Sequence, residues 1–162
     1  MARTARRTTV PPAEGANTAE LEAAVGFWLR LAQQKDMRGF NRVFAGSGVT
    51  PPLYAMLLVI SANPGLRQTQ IGEMLRIRQP NLVEPIDTLI GRGLISRRPD
   101  PNDRRAQAID LTPEGALLLE RLRAGHDRLI ESYRKRFGPG RYDQLVGLLR
   151  AFVALDADPE NL

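Results

Sequence analysis

The sequence predicts a mainly α chain with one small β-hairpin. Apolar residues recur at helical spacing through most of its length. One stretch alternates at a period of two on both sides of a turn-rich tip, and proline or glycine punctuates nearly every junction. Residues 21–35 form the first helix, with Leu21, Ala24, Phe27, Trp28 and Leu31 on one face. Met37, Phe40, Val43 and Phe44 continue the apolar content, so this helix either bends or runs on toward Ala45. Thr50 caps a second helix with Pro51 at its first position; Leu53, Met56, Leu57 and Ile60 are its buried stripe, and Asn63-Pro64-Gly65 stops it.

Residues 69–75 form a short helix with Ile71, Met74 and Leu75 on one face. Gly72 lies between them, where the missing side chain lets another helix approach. After a turn at Arg76 and Ile77, residues 80–91 put Leu82, Val83, Ile86, Leu89 and Ile90 on one stripe. Arg78, Gln79, Asn81, Glu84 and Thr88 are left on the other face. Two short helices joined by a tight turn, the second with an amide-rich, basic leading edge, describe a helix-turn-helix. Residues 94–98 then read as a strand, 99–105 as the tip and 106–111 as the return strand. Helix-turn-helix plus hairpin is a winged helix. Thr112, Pro113 and Glu114 supply an N-cap, a first-position proline and an early acid for a helix over 113–137. Its apolar positions are Leu117, Leu118, Leu122, Leu129, Ile130 and Tyr133. Gly138-Pro139-Gly140 breaks it, and a last helix carries Tyr142, Leu145, Val146, Leu149, Phe152 and Val153.

These flanking helices hold more apolar surface than one winged helix can cover, which predicts a symmetric homodimer. The expected organisation is a flexible basic arm (1–18), an N-terminal dimerisation helix and linker (19–49), a winged helix-turn-helix (50–112), C-terminal dimerisation helices (113–155) and a tail (156–162). The arm carries Arg3, Arg6 and Arg7. An ordinary disordered tail is favoured over an arm that reaches phosphates or a minor groove.

The formal charge of the 162 residues is +5, and only Lys35 and Lys135 among the basic residues are not arginine. A GC-rich genome would give the same bias, so placement decides: from Arg92 to Arg105 five arginines (Arg92, Arg97, Arg98, Arg104 and Arg105) stand against Asp100 and Asp103. The absence of cysteine excludes disulfides and thiol switches and suits a cytoplasmic setting. No apolar run reaches membrane-spanning length. An enzyme is not expected, because the one histidine, His126, sits on an amphipathic helix without a nucleophile or metal-ligand cluster beside it. No cofactor is expected.

The chain resembles the MarR (multiple antibiotic resistance regulator) family of bacterial transcription factors. The resemblance rests on Thr50-Pro51-Pro52, Asn63-Pro64-Gly65-Leu66, Gly91-Arg92-Gly93-Leu94, Asp103-x-Arg105 and Leu111-Thr112-Pro113-Glu114-Gly115, in that order. It implies a dimeric, ligand-responsive regulator, more often a repressor, on a pseudo-palindromic operator in double-stranded DNA. In such a reading Arg78, Gln79 and Asn81, with Glu84 and Thr88, face the major groove, where Arg grips guanine and Gln or Asn grips adenine. The resemblance also puts Arg105 in the minor groove with Asp103 positioning it. Arg67, Arg97, Arg98 and Arg104 are phosphate candidates. It further implies a cleft for a small anionic or aromatic effector, such as an aromatic acid or its thioester, lined by Trp28, Met37, Arg38, Phe40, Arg42 and Tyr54. Plain packing and surface charge are an equal reading of those six.

Two departures stand out. Arg67 and Arg78 occupy positions where serines commonly cap the two small helices, a loss of about 1 kcal/mol each. Pro85 lies inside the recognition helix, where its ring should press on the Asn81 carbonyl and kink the helix. The competing function is a winged helix that binds protein partners without DNA. An acidic or apolar recognition face would favour it.

Overall fold

A computed structural model describes residues 18–100 and 103–155, with strand residues 103–105 described by their backbone only. The chain divides into two compact units, residues 1–36 and 37–162. The first contains α1 (Ala19–Ala23) and the beginning of α2 (Val25–Val43). One continuous helix was expected over 21–35. Instead Ala24 turns extended (ψ 122°) and separates the two helices, while the second runs on to Val43. Within this unit Trp28 packs edge-on against Phe27, and its indole N–H donates to the Glu22 carbonyl at 2.7 Å.

The second unit is built around α3 (Pro51–Ala62). Met56, Leu57 and Ile60 are wholly buried in it. Thr50 precedes α3 as its N-cap residue, with extended backbone and Pro51 at the first helical position, but its side chain makes no capping bond. Against α3 pack α4 (Gln68–Leu75) through Ile71 and α5 (Val83–Gly91) through Ile86 and Leu89. A three-stranded antiparallel sheet follows the order β1 (Leu66–Arg67), β3 (Asp103–Leu111), β2 (Ile95–Asp100). Leu66 faces Ile109 and Ile95 faces Leu111 in register. The hairpin is longer than expected. Pairing continues through Pro99 and Asp100, with Asp100 opposite Asp103 and an irregularity after Pro99.

Some side chains expected inside are outside. Met74 and Val83 are about half exposed, and the buried face of α6 (Pro113–Phe137) uses Leu119 and Leu122 while Leu117 points to solvent. The reason is local. Gly115 presses against the end of the wing, where an added Cβ would stand 2.0 Å from the Leu94 carbonyl oxygen, and this contact sets the rotation of α6. The expected cap of α6 is present: Thr112 Oγ1 accepts from the Gly115 N–H at 3.0 Å and donates to the Gly93 carbonyl at 2.6 Å. A final helix, α7 (Arg141–Ala154), has no buried residue.

Candidate nucleic-acid interface

The turn between α4 and the second helix closes at Arg76, which adopts a left-handed backbone (φ 54°), as a helix C-cap often does, though usually with glycine. Its closeness depends on Gly72. A Cβ there would meet Leu82 Cδ1 and the Gln79 amide at 2.8 Å and the Ile77 carbonyl at 2.9 Å. The predicted close approach at Gly72 is therefore real, and it fixes how far the second helix stands from the first.

That second helix does not begin as a regular α-helix at Pro80. Gln79–Asn81 form a single 3₁₀ turn, and the α-helix starts at Val83. Leu82 donates to Gln79, and the first α-type bond runs from the Ile86 N–H to the Leu82 carbonyl at 3.0 Å. Pro85 thus occupies the third residue of α5, where an N–H has no helical partner to lose. The kink expected at Pro85 is absent from the body of the helix. The irregularity lies ahead of it, at the Asn81 carbonyl that the ring would have struck.

Arg78, Gln79, Asn81, Glu84 and Thr88 are all exposed. Arg78 precedes the 3₁₀ turn and caps nothing with its side chain. It forms no ion pair among the described residues. Gln79 leans back and donates to the Thr69 carbonyl at 3.3 Å. Arg67 caps α4 by position only, but its backbone N–H is taken by the Gln70 side chain at 2.9 Å, so half of a capping box survives without serine.

Three described arginines in and beside the wing are paired with carboxylates. Arg67 Nε donates to Asp100 at 2.8 Å, tying the start of α4 to the end of β2. Arg97 meets Asp87 of α5 at 3.1 Å, and Arg98 meets Asp110 across the hairpin at 2.5 Å. Asp87, Asp100 and Asp110 were not foreseen in these roles, because nothing local in the sequence marks a carboxylate for a partner 10, 33 or 12 residues away. Arg67 and Arg97 also line an open cleft of about 340 Å³ with Gln68, Thr69 and Gln107, between the start of α4 and the hairpin. The side chains of Asp103, Arg104 and Arg105 and the whole arm over 1–17 lie outside the described residues.

Of the six effector candidates, two come together. Phe40 and Tyr54 meet in a buried aromatic group. Phe40 stacks on Phe44 at 3.8 Å, and Tyr54 lies edge-on to Phe44 at 5.1 Å. Arg38 and Arg42 are exposed and sit two residues to either side of Phe40, which at 100° per residue places them away from it; Met37 is half-buried. Trp28 belongs to the other compact unit. What the sequence reading missed is His126. Placed by the sequence only on an amphipathic helix, it faces the Tyr54 ring at 5.2 Å and Phe44 at 6.4 Å. Burial raises the Tyr54 pKa above the ordinary phenol value; the charge of Asp127 adds to this and Arg123 opposes it. Arg123 also donates to Ser61 at 3.3 Å.

Residues 47–106 match the model of the MarR family. A Thauera aromatica protein assigned to transcriptional regulation of the hcr operon is 34% identical over 85% of this chain and 84% of its own length. The chain belongs to the MarR family. Among solved structures, the transcriptional repressor CouR bound to a 23-mer DNA duplex superposes with a TM-score of 0.81 at 32% identity, over 85% of this chain and 98% of CouR. CouR bound to p-coumaroyl-CoA gives a TM-score of 0.78 at 30% identity, over 86% and 98%. This MarR-family winged helix is therefore a DNA-binding transcriptional regulator, and its relatives are regulators, not enzymes. No helix among the described residues is long and apolar enough to cross a membrane.

Proposed function

We propose that the chain acts in the cytoplasm as a homodimeric, ligand-responsive repressor that reads a pseudo-palindromic operator in double-stranded DNA. The observation that carries this is one exposed surface: the 3₁₀ leading edge with Arg78, Gln79 and Asn81 stands beside a hairpin bearing Arg97 and Arg98. A leading edge of that composition fits the major groove, with Glu84 and Thr88 further along the same helix. Arg105, oriented by Asp103, reads the minor groove, and Arg67, Arg97, Arg98 and Arg104 supply phosphate contacts. The helices over 19–49 and 113–155 form the dimer. CouR, captured both on DNA and with an acyl-CoA thioester, supports the same two-ligand logic here.

The effector is a small anionic or aromatic compound, an aromatic acid or its thioester. Tyr54 and Phe40 are its ring-stacking candidates, joined by His126, and Arg38 or Arg42 its candidates for a carboxylate or phosphate. Trp28 and Met37 complete the expected lining. It acts by favouring a dimer whose recognition helices no longer match successive major grooves.

Titrating the full-length protein with random-sequence duplex at low salt tests the first claim, and selection from a randomised pool gives the operator. Absence of binding at low salt would leave the protein-interaction reading. Adding p-coumaroyl-CoA or p-coumarate to the operator complex tests release.

A further inference from the structure

The recognition helix carries two acids on its exposed side, Glu84 and Asp87, one turn apart. Negative charge there opposes the approach of any phosphate. Yet Asp87 is not simply solvated: its carboxylate accepts from Arg97 of β2, 3.1 Å away, so the reading helix and the wing are bridged by an ion pair. The other two wing pairs differ in how easily they open. The three arginines are similarly exposed (Arg67 39%, Arg98 49%, Arg97 36%), but Asp100 and Asp110 have only 10% and 23% of their side chains exposed, whereas Asp87 has 56%. An exposed pair adds little net stability, so its arginine can change partner at little cost. The other face of Arg97 already lines the cleft between α4 and the hairpin, beside Gln68 and Thr69.

We propose that Asp87 is a stand-in for phosphate that occupies Arg97 in the free protein and so holds down binding to non-operator DNA. This rests on the DNA-binding reading above and adds a specificity-determining residue to it. On random duplex the protein gains too little to exchange the pair, and Arg97 stays on Asp87. On an operator the base contacts hold the helix in register and the exchange to a phosphate follows, so the device widens the gap between specific and non-specific affinity.

The test is a double-mutant cycle on full-length wild type, Asp87→Asn, Arg97→Ala and the double variant. Each is titrated with a short random-sequence duplex over a range of salt, after circular dichroism and thermal melting confirm the fold. Asp87→Asn should tighten binding several-fold at about 0.1 M salt and steepen the log K against log salt slope by about 0.9, the value of one extra phosphate contact. In the Arg97→Ala background the same substitution should leave the slope unchanged. An equal gain in both backgrounds would mean that Asp87 acts only as a general repulsive charge, and no gain in either would mean that Arg97 does not reach phosphate. Either result overturns the proposal while leaving DNA binding intact. Failure of the wild type itself to bind at low salt would overturn the DNA-binding reading and this proposal together.

Discussion

Tyr54 is 5% exposed among Phe40, Phe44 and His126, and its phenol titrates above the ordinary value of 10.0 because burial disfavours the phenolate. An acid whose pKa is raised on folding adds stability that is fully present below the unfolded pKa and is lost as pH climbs through the folded one. The wild type should therefore lose melting temperature from about pH 10 upward, and Tyr54→Phe should lose less over the same range in a melting-temperature profile. Asp100 contributes through an ion pair instead. Its nearly buried carboxylate holds Arg67, and the partner's 39% exposure lets water offset part of the loss. Asp100→Asn should cost about 1–2 kcal/mol in a denaturant titration. It should also weaken duplex binding, because the base of the wing loses its tie to α4. These residues differ in how far they could be read beforehand. Tyr54 was named as an effector-cleft candidate only through the family resemblance, with plain packing an equal reading, and its histidine partner was not foreseen. The ring contact joins α3 to a residue of α6 some 70 positions later, and periodicity within one helix carries no information about which faces meet.

Among the elements, legibility follows the range of the forces that set each boundary. The starts of α3 and α6 were readable because Pro51 and Thr112-Pro113 set the backbone of the first turn, although only Thr112 caps through its side chain. The break at Ala24 was not readable, since it falls at a pair of strong helix formers, Ala23 and Ala24, and the nearby Gly26 lies inside α2. The recognition helix lies between these cases: Pro85 announced a disturbance, but its position relative to the helix start depends on where Leu82 is buried against α3, α4 and α5. Because Pro85 is the third residue of α5, Pro85→Ala should change stability by less than about 0.5 kcal/mol. A proline placed deeper, as in Thr88→Pro, would remove a formed helical bond and should cost about 3 kcal/mol or more. Equal costs for the two in chemical denaturation would show that α5 begins earlier than Val83. The end of α5 has a further tie: Arg92, its C-cap residue, donates to the carbonyls of Ser47 and Gly48 at 2.7 Å each. That clamp spans more than 40 residues and connects the end of α5 to the segment just after Phe44.

At the scale of the whole molecule, α7 poses the main energetic question. None of its residues is buried, yet Leu145, Leu148, Leu149, Phe152 and Val153 are apolar and Leu148 is 63% exposed. A helix with that pattern on a solvated surface forgoes about 1.5–3 kcal/mol for each large side chain left in water. Contiguous exposed apolar area of this kind marks an association surface. A second copy of the chain covers it in the dimeric reading, and two recognition helices then engage two half-sites. Replacing Leu148 and Phe152 by glutamate should give a folded monomer, since neither side chain belongs to the core of the single chain. Light scattering after size exclusion reads the mass, and circular dichroism reads the retained helix. Operator affinity of that monomer should fall by about 100-fold or more, because the second half-site is no longer bound intramolecularly. Random-duplex binding at low salt should fall far less, since the arginines of each wing remain. A variant that stays dimeric would place the interface elsewhere, and a monomer that keeps full operator affinity would remove the need for two half-sites.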